Sequence, residues 1–346
     1  MNMIWKKLNS VVEEYLNPVY KKTHPVMALA TVKHKNQNGY YEGIIREIIG
    51  RKGDVSISGF VDRSKLFIVK SSDGLKWKRV KELKIEGINE IIKKLSRESL
   101  DFIGLEDPDI WVENGKIHVY FSIAYKRKNK RGYFVALGHA QGSSLFNLTA
   151  TKPVMIPKLS EHNKYSGFKE VAINPLEYNG YRINLCESGY HDFKRKVGVS
   201  TIVSVKAKDL SKTWKLIKTV GDPPKFKWHW CNGQLSPTFI LPKKLISYKD
   251  YLVVFINGRS QSKRINNKTY YGDFETGLAL FNPKTGETPW ISPEPFVADP
   301  EEKSITFTSD YLPINKNEIL LYAHTDDSFI RAYKINLKEL KKLIDY

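Results

Sequence analysis

One recurring pattern restricts the fold of this chain more than any other: a tight polar turn, then an apolar, aromatic-rich segment. The instances are "NQNGYYEGIIRE", "VENGKIHVYFSIAY", "EYNGYRINLCES", "SYKDYLVVFINGR" and "NKNEILLYAHTDD". Their turn positions, Gly39, Gly115, Gly180, Asp250 and Asn317, are 76, 65, 70 and 67 residues apart. Asn-Gly between alternating apolar segments is a strong hairpin signal, because both turn residues must adopt positive φ. After each hairpin comes another strand, a polar turn and an aromatic: "LFIVKSSDGLKW", "YFVALGHAQGSSLF", "VSTIVSVKAKDLSKTW" and "TGLALFNPKTGETPW". The fifth copy, "FIRAYKINLKELKKLI", runs into a helical pattern instead. Five copies of about four strands predict an all-β, five-bladed β-propeller in a single domain spanning residues 1–346. A two-sheet sandwich is the rival, and it gives no reason for five equivalent turns. Helices are expected over residues 1–20 and 336–346, and at an insertion, "GINEIIKKLSRESL".

Composition narrows the setting. Lys plus Arg number 56 against 37 Asp plus Glu, a formal charge of +19. That field favours an anionic partner, although the bases are scattered and fit solvated lysine faces equally well. Cys186 and Cys231 form no CxxC and no disulfide framework, which points to the cytoplasm. No apolar run is of membrane-spanning length, so no membrane partner is expected. HExxH, GxxxxGK[ST] and GxSxG are all absent from the sequence, and neither a metal nor a resident cofactor is expected.

In a propeller, residues just before each inner strand and just after the second strand share one rim. For the first blade these are His24, Arg46 and Glu47; for the second Glu106, Asp107 and Tyr125; for the third Lys169, Glu170 and Glu187. The fourth offers Gln234, Ser236, Asn257 and Arg259, and the fifth Thr306, Thr308, His324, Asp326 and Asp327. Acids, bases and amides around one funnel suit a sugar together with an anion. Trp228, His229 and Trp230 read either as a stacking wall for a sugar ring or as packing between blades.

The acids crowd at "GLEDPDIW", where Glu106, Asp107 and Asp109 fall within four positions. Like-charge neighbours would raise the pKa of Asp107, as a general acid requires. Inverting cleavage also needs a nucleophile on the opposite ring face. Glu187 and Glu170 are the available bases for water. Lys169, Arg46, Arg259, His229 and His324 are the available ligands for phosphate.

An ordered set of motifs over about residues 26–342 resembles glycoside hydrolase family 130, the β-mannoside phosphorylases and β-mannosidases. "LEDPDIWVENGKIHVYFSIAY" is similar to its Glu-Asp-Pro-Arg strand and following hairpin, and "GFKEVAINPLEYNGYRINL" to its Lys-Asp segment. "WCNGQLSP", "YYGDFETGLALFNPKTGETPWISPEPF" and "ILLYAHTDDSFIRAYKINLKELKKLI" match later segments in order. The resemblance implies a five-bladed propeller. It makes Asp107 the catalytic proton donor, Asp327 or Asp326 the acid that grips the sugar, and Lys169 a base near the anion site. The family's Arg is Asp109 here, its Asp is Glu170, and Glu187 stands where a phosphate-binding cation is expected.

The expected function is therefore cleavage or formation of β-mannosidic bonds with inversion, by phosphorolysis or hydrolysis. Asp107, Glu187 and Glu170 would be catalytic. Glu106, Arg46, Asp326, Asp327, Trp230 and Tyr125 would bind the sugar, and Lys169, Arg259, His229 and His324 would bind phosphate. The partner is a mannose-containing oligosaccharide or sugar phosphate, with inorganic phosphate as co-substrate. Two alternatives stand beside it: a mannosyltransferase using a sugar-nucleotide or sugar-phosphate donor, and a non-catalytic propeller binding a polyanion such as nucleic acid. The resemblance also implies a homo-oligomer joined through terminal helices, a role that the N-terminal segment fits as easily as packing on its own blade.

Overall fold

The computed structural model describes residues 12–15, 18–22, 24–128, 132–158, 164–192 and 197–344. The chain is all-β, with two α-helices of eight residues each among the described residues. After β1 (Val12–Tyr15) the strands fall into consecutive antiparallel groups. The first holds β2 (Val26–Thr31), β3 (Tyr41–Lys52), β4 (Val61–Ser71) and β5 (Lys78–Glu82). Helix α1 (Ile88–Leu95) is inserted before the second, β6 (Leu100–Glu113), β7 (Lys116–Arg127), β8 (Tyr133–Ser144) and β9 (Asn147–Ala150). The third is β10 (Tyr165–Ala172), β11 (Arg182–Asp192), β12 (Val197–Ala207) and β13 (Lys215–Thr219). The fourth is β14 (Gln234–Ile240), β15 (Tyr251–Arg259), β16 (Phe274–Phe281) and β17 (Trp290–Ile291). The last is β18 (Thr306–Pro313), β19 (Glu318–Thr325) and β20 (Phe329–Asn336), followed by α2 (Leu337–Ile344).

Every recurring turn of the sequence joins the first and second strands of a group. Asn114-Gly115 and Asn179-Gly180 both have positive φ at each turn residue, 51° and 72°, 50° and 72°. These are type I′ turns, whose twist matches that of the flanking strands.

A helix over residues 1–20 does not form where it is described: Val12–Tyr15 is extended and pairs with β20. The reason lies at the other terminus. Because α2 follows β20, the last group has only three strands of its own, and an open edge is costly to leave unpaired. Strand β1 fills that edge; residues 1–11 lie outside the described residues. The C-terminal helix is present, capped by Asn336 Oδ1, which accepts from Lys338 and Glu339 N–H at 3.0 and 3.2 Å.

The core is divided into separate apolar clusters, each joining two successive groups. Ile68 meets Phe121, Leu137 meets Val203, Leu185 meets Val254 and Phe255 meets Leu321 in four of them. In another, Ile45 and Val69 join Leu320 and Tyr322, so the last group packs on the first. A two-layer sandwich would have one slab of core.

Each first strand also carries an extra residue at the matching position. The register slips between Met27 and Leu29, Glu106 and Asp109, Lys169 and Val171, Pro237 and Phe239, and Thr308 and Asp310. Bulges re-aim side chains and concentrate near sites. Three put non-glycine residues in the left-handed region: Ala28 at φ 43°, Asp107 at 46° and Glu170 at 46°. Such backbone costs about 1–3 kcal/mol each and persists where the surroundings impose it.

Candidate active site

The bulges of the first strands in the first three groups, with ends of second strands and starts of third strands, converge on one cavity of about 380 Å³. Arg46, Glu106 and Asp107 line it, with Lys169, Glu170 and Glu187 beside them. Asp62, Arg259, His324 and Asp327 complete the charged lining. Most of the expected site residues are therefore brought together by strands far apart in sequence.

Arg46 organises one wall. Its Nη1 lies 2.6 Å from Asp107 Oδ1, its Nη2 2.9 Å from Glu106 Oε1, and its Nε donates to Ser64 Oγ at 2.9 Å. Burial lifts the Glu106 carboxyl to about 7 against the pull of Arg46. Burial also acts upward on Asp107, but Arg46 and Lys169 outweigh it and hold that carboxyl below its ordinary value. The expected upward push from acidic neighbours is thus reversed at Asp107. The sequence places a cation 61 positions away at the carboxylate, and opposite charge within hydrogen-bond reach wins. Asp109 points elsewhere: its Oδ2 accepts from Val171 N–H at 3.0 Å.

On the facing side Lys169 Nζ lies 3.5 Å from Glu187 Oε1, to which Gln234 Nε2 also donates at 3.5 Å. Glu187 Oε2 is buried with no hydrogen-bond partner among the described residues. Burial acts downward on Lys169, yet Glu187 and Asp107 outweigh it and keep the ammonium charged. Glu170 is driven well above the usual carboxylate range by burial and by Asp107. Arg259 stacks against Tyr271 and Phe274, 4.4 and 4.1 Å from the ring centroids, and its Nε donates to the Gly272 carbonyl at 3.1 Å. Burial lowers it to about 10, so it is still a cation at neutral pH. No ion pair engages it among the described residues.

His324 Nδ1 accepts the Ala28 N–H at 3.3 Å, which leaves the proton on Nε2, 3.1 Å from Asp327 Oδ1. Burial acts upward on Asp327, and the hydrogen bond from His324 outweighs it. Asp326, its alternative in the sequence, faces away. Its carboxylate accepts from the N–H groups of Lys303, Ser304 and Ile305 at 2.9, 3.1 and 3.1 Å and so fastens that loop.

Three further expectations fail. Trp230 is 4% exposed, lies in the core against Gly258 and Gly277, and donates to the Ser292 carbonyl. It is a packing residue. Tyr125 is fully buried, its hydroxyl donating to the Ile92 carbonyl at 2.7 Å to fix α1. His229 is exposed in a short 3₁₀ turn and does not line the cavity. The aromatic residues lining the cavity are instead Phe60, Tyr133, Phe168, Tyr271, Phe274 and Phe307. Tyr133 and Phe274 open third strands, which in a meander start on the rim where second strands end. That register argument was available from the hairpin spacing. Among the described residues no group of three or more His, Cys, Asp or Glu side chains is placed to hold a metal ion. No helix among them is long and apolar enough to cross a membrane.

No family model and no curated protein matches the chain by sequence. Solved structures do match in fold. The β-1,2-mannobiose phosphorylase of Listeria innocua, in complex with β-1,2-mannobiose, superposes with a TM-score of 0.66 at 13% identity, covering 95% of each chain. A second, from work on glycoside hydrolases of the family 130 mannoside phosphorylases that target β-1,2-mannosidic linkages in Candida mannan, gives 0.62 at 18%, covering 92% and 86%. A thermostable family 43 glycoside hydrolase gives 0.56 at 14%, covering 92% and 91%. At such identities the shared property is the fold, one that carries glycoside chemistry in these relatives.

Proposed function

We propose that this protein is a glycoside-cleaving enzyme of the family 130 kind, acting on β-mannosides in the cavity between Arg46 and Arg259. The meanders are read as the blades of a five-bladed propeller, supported by the core cluster that joins the last group to the first. The observation that carries the functional reading is the division of the cavity's carboxyls. Glu187 has a buried carboxyl oxygen with no hydrogen-bond partner among the described residues, while burial lifts Glu106 to about 7 and drives Glu170 well above its ordinary value. A carboxyl biased toward its protonated form and a second with an unengaged oxygen, facing one cavity, are what inverting hydrolysis requires, one protonating the leaving oxygen and the other activating water. The Tyr271, Phe274 and Phe307 rings suit the apolar face of a pyranose. Asp327, oriented by His324, is placed to hold sugar hydroxyls.

A second reading, phosphorolysis, is favoured by Arg259, a cation in the cavity that no ion pair engages among the described residues. Incubation with a β-1,2-linked mannose disaccharide, with and without inorganic phosphate, separates the two. Hydrolysis gives free mannose regardless of phosphate, and phosphorolysis gives mannose 1-phosphate only in its presence. No product in either case, with turnover of a mannosyl nucleotide or steeply salt-dependent binding of nucleic acid, would replace this reading by the transferase or the polyanion-binding propeller.

A further inference from the structure

The bulge in β10 aims Glu170 into the cavity, in left-handed backbone at φ 46°. Its carboxyl differs from every other in that space. Arg46 holds Glu106 and Asp107, Arg51 holds Asp62, Lys169 holds Glu187, and His324 holds Asp327. No hydrogen bond or ion pair engages Glu170 among the described residues. A proton donor must be free to meet its substrate oxygen, and a carboxyl gripped by a guanidinium at 2.6 Å is not.

We propose that Glu170, and not Asp107, delivers the proton to the departing glycosidic oxygen, an inference that rests on the glycoside-cleaving reading above. In the step, the Glu170 O–H bond breaks and its proton bonds to the glycosidic oxygen. The C1–O bond breaks, its electron pair remaining on that oxygen. A water oxygen bonds to C1 and gives its proton to Glu187. One proton leaves Glu170 and one arrives at Glu187, and exchange with solvent resets both.

The groups facing Glu170 are Asp107 and Asp109 from β6, Glu187 from β11 and Lys169 from its own strand. Burial and three of these carboxyls favour the protonated form; Lys169 opposes them. Asp107 then acts as a positioning residue. Its ionised carboxylate, fixed by Arg46, keeps the proton on Glu170. Removing that negative charge makes Glu170 easier to ionise, so activity that needs the proton is lost at lower pH.

The test compares two substrates, a β-linked mannose disaccharide and 2,4-dinitrophenyl β-mannoside, whose leaving group needs no proton. Glu170→Gln is expected to lose on the order of 10²–10⁴-fold in kcat/KM on the disaccharide and less than about tenfold on the dinitrophenyl substrate. Asp107→Asn, which leaves residue 170 untouched, is expected to move the alkaline limb of the disaccharide profile to lower pH. The inference is overturned if Asp107→Asn shows the leaving-group split, if Glu170→Gln loses both substrates equally, or if the alkaline limb stays where it is. Wild type cleaving neither substrate would sink the reading beneath it as well.

Discussion

Replacing Arg46 by Met tests the electrostatic frame of the site. Arg46 is 5% exposed and its guanidinium sits 2.6 Å from Asp107 and 2.9 Å from Glu106, so its loss leaves two buried carboxyls without their paired cation, with only the weaker pull of Lys169 still acting on both. Breaking a buried pair in this way costs about 3–5 kcal/mol, a large share of the roughly 5–15 kcal/mol typical of folded proteins. The cost should also depend on pH, and the sign can be worked out. In wild type the Asp107 carboxyl is held below its ordinary value, so its contribution is present above the unfolded pKa and lost as pH falls through the folded one. Without Arg46 the largest downward pull is gone and burial is expected to outweigh that of Lys169 and His324, which puts the folded pKa above the unfolded one, so that stability is lost as pH rises. The gap between the two proteins therefore widens with pH, by up to about 1.4 kcal/mol per unit for one proton. Urea unfolding at about pH 5.5, 6.5 and 7.5 measures it, through midpoints at constant m-value. A gap below about 1 kcal/mol, or one constant across that range, would refute the reasoning.

Other sites give sharper local tests. Trp230→Ala should cost about 3–5 kcal/mol in unfolding experiments and leave KM for the sugar within about twofold, because the indole packs the core and does not line the cavity. Ala28→Gly should raise stability by about 1 kcal/mol, read as a higher unfolding midpoint, since the bulge holds Ala28 at φ 43°. Arg259→Gln should abolish binding of inorganic phosphate or sulfate measured by titration calorimetry, whereas retention of that binding would place the anion site elsewhere.

The repeat was legible because its signal is local: Asn-Gly turns and alternating apolar strands fix hairpins without reference to the rest of the chain. The convergence of Arg46, Glu106, Asp107, Lys169, Glu187 and Asp327 followed from strand order alone. What was hidden depends on neighbours distant in sequence. Nothing near Asp107 shows that Arg46 will clamp it, and that clamp reverses the sense of its pKa. The inner-strand bulges shift the alternation by one residue, too little to stand out beside ordinary sequence variation, yet they aim Asp107 and Glu170 inward. Trp230 misled because an aromatic beside Gly-rich strands suits a stacking wall and an inter-strand packing site alike. Gly258 and Gly277, whose missing Cβ atoms make room for the indole, decide for packing. The strand β1 was obscured because the amphipathic pattern of its segment fits a helix, while the need for it arises some 320 residues later, at the edge of β20.

The most direct measurement is calorimetric titration of a β-linked mannose disaccharide into Glu187→Gln, which should bind without turning over, at about 50 and 500 mM salt. A neutral sugar held by short-range contacts in a buried cavity should bind at one site with nearly the same affinity at both concentrations. Absence of sugar binding, together with nucleic acid binding that falls by orders of magnitude between those salts, would contradict the proposed function and assign the positive surface, not the cavity, as the working part of the molecule.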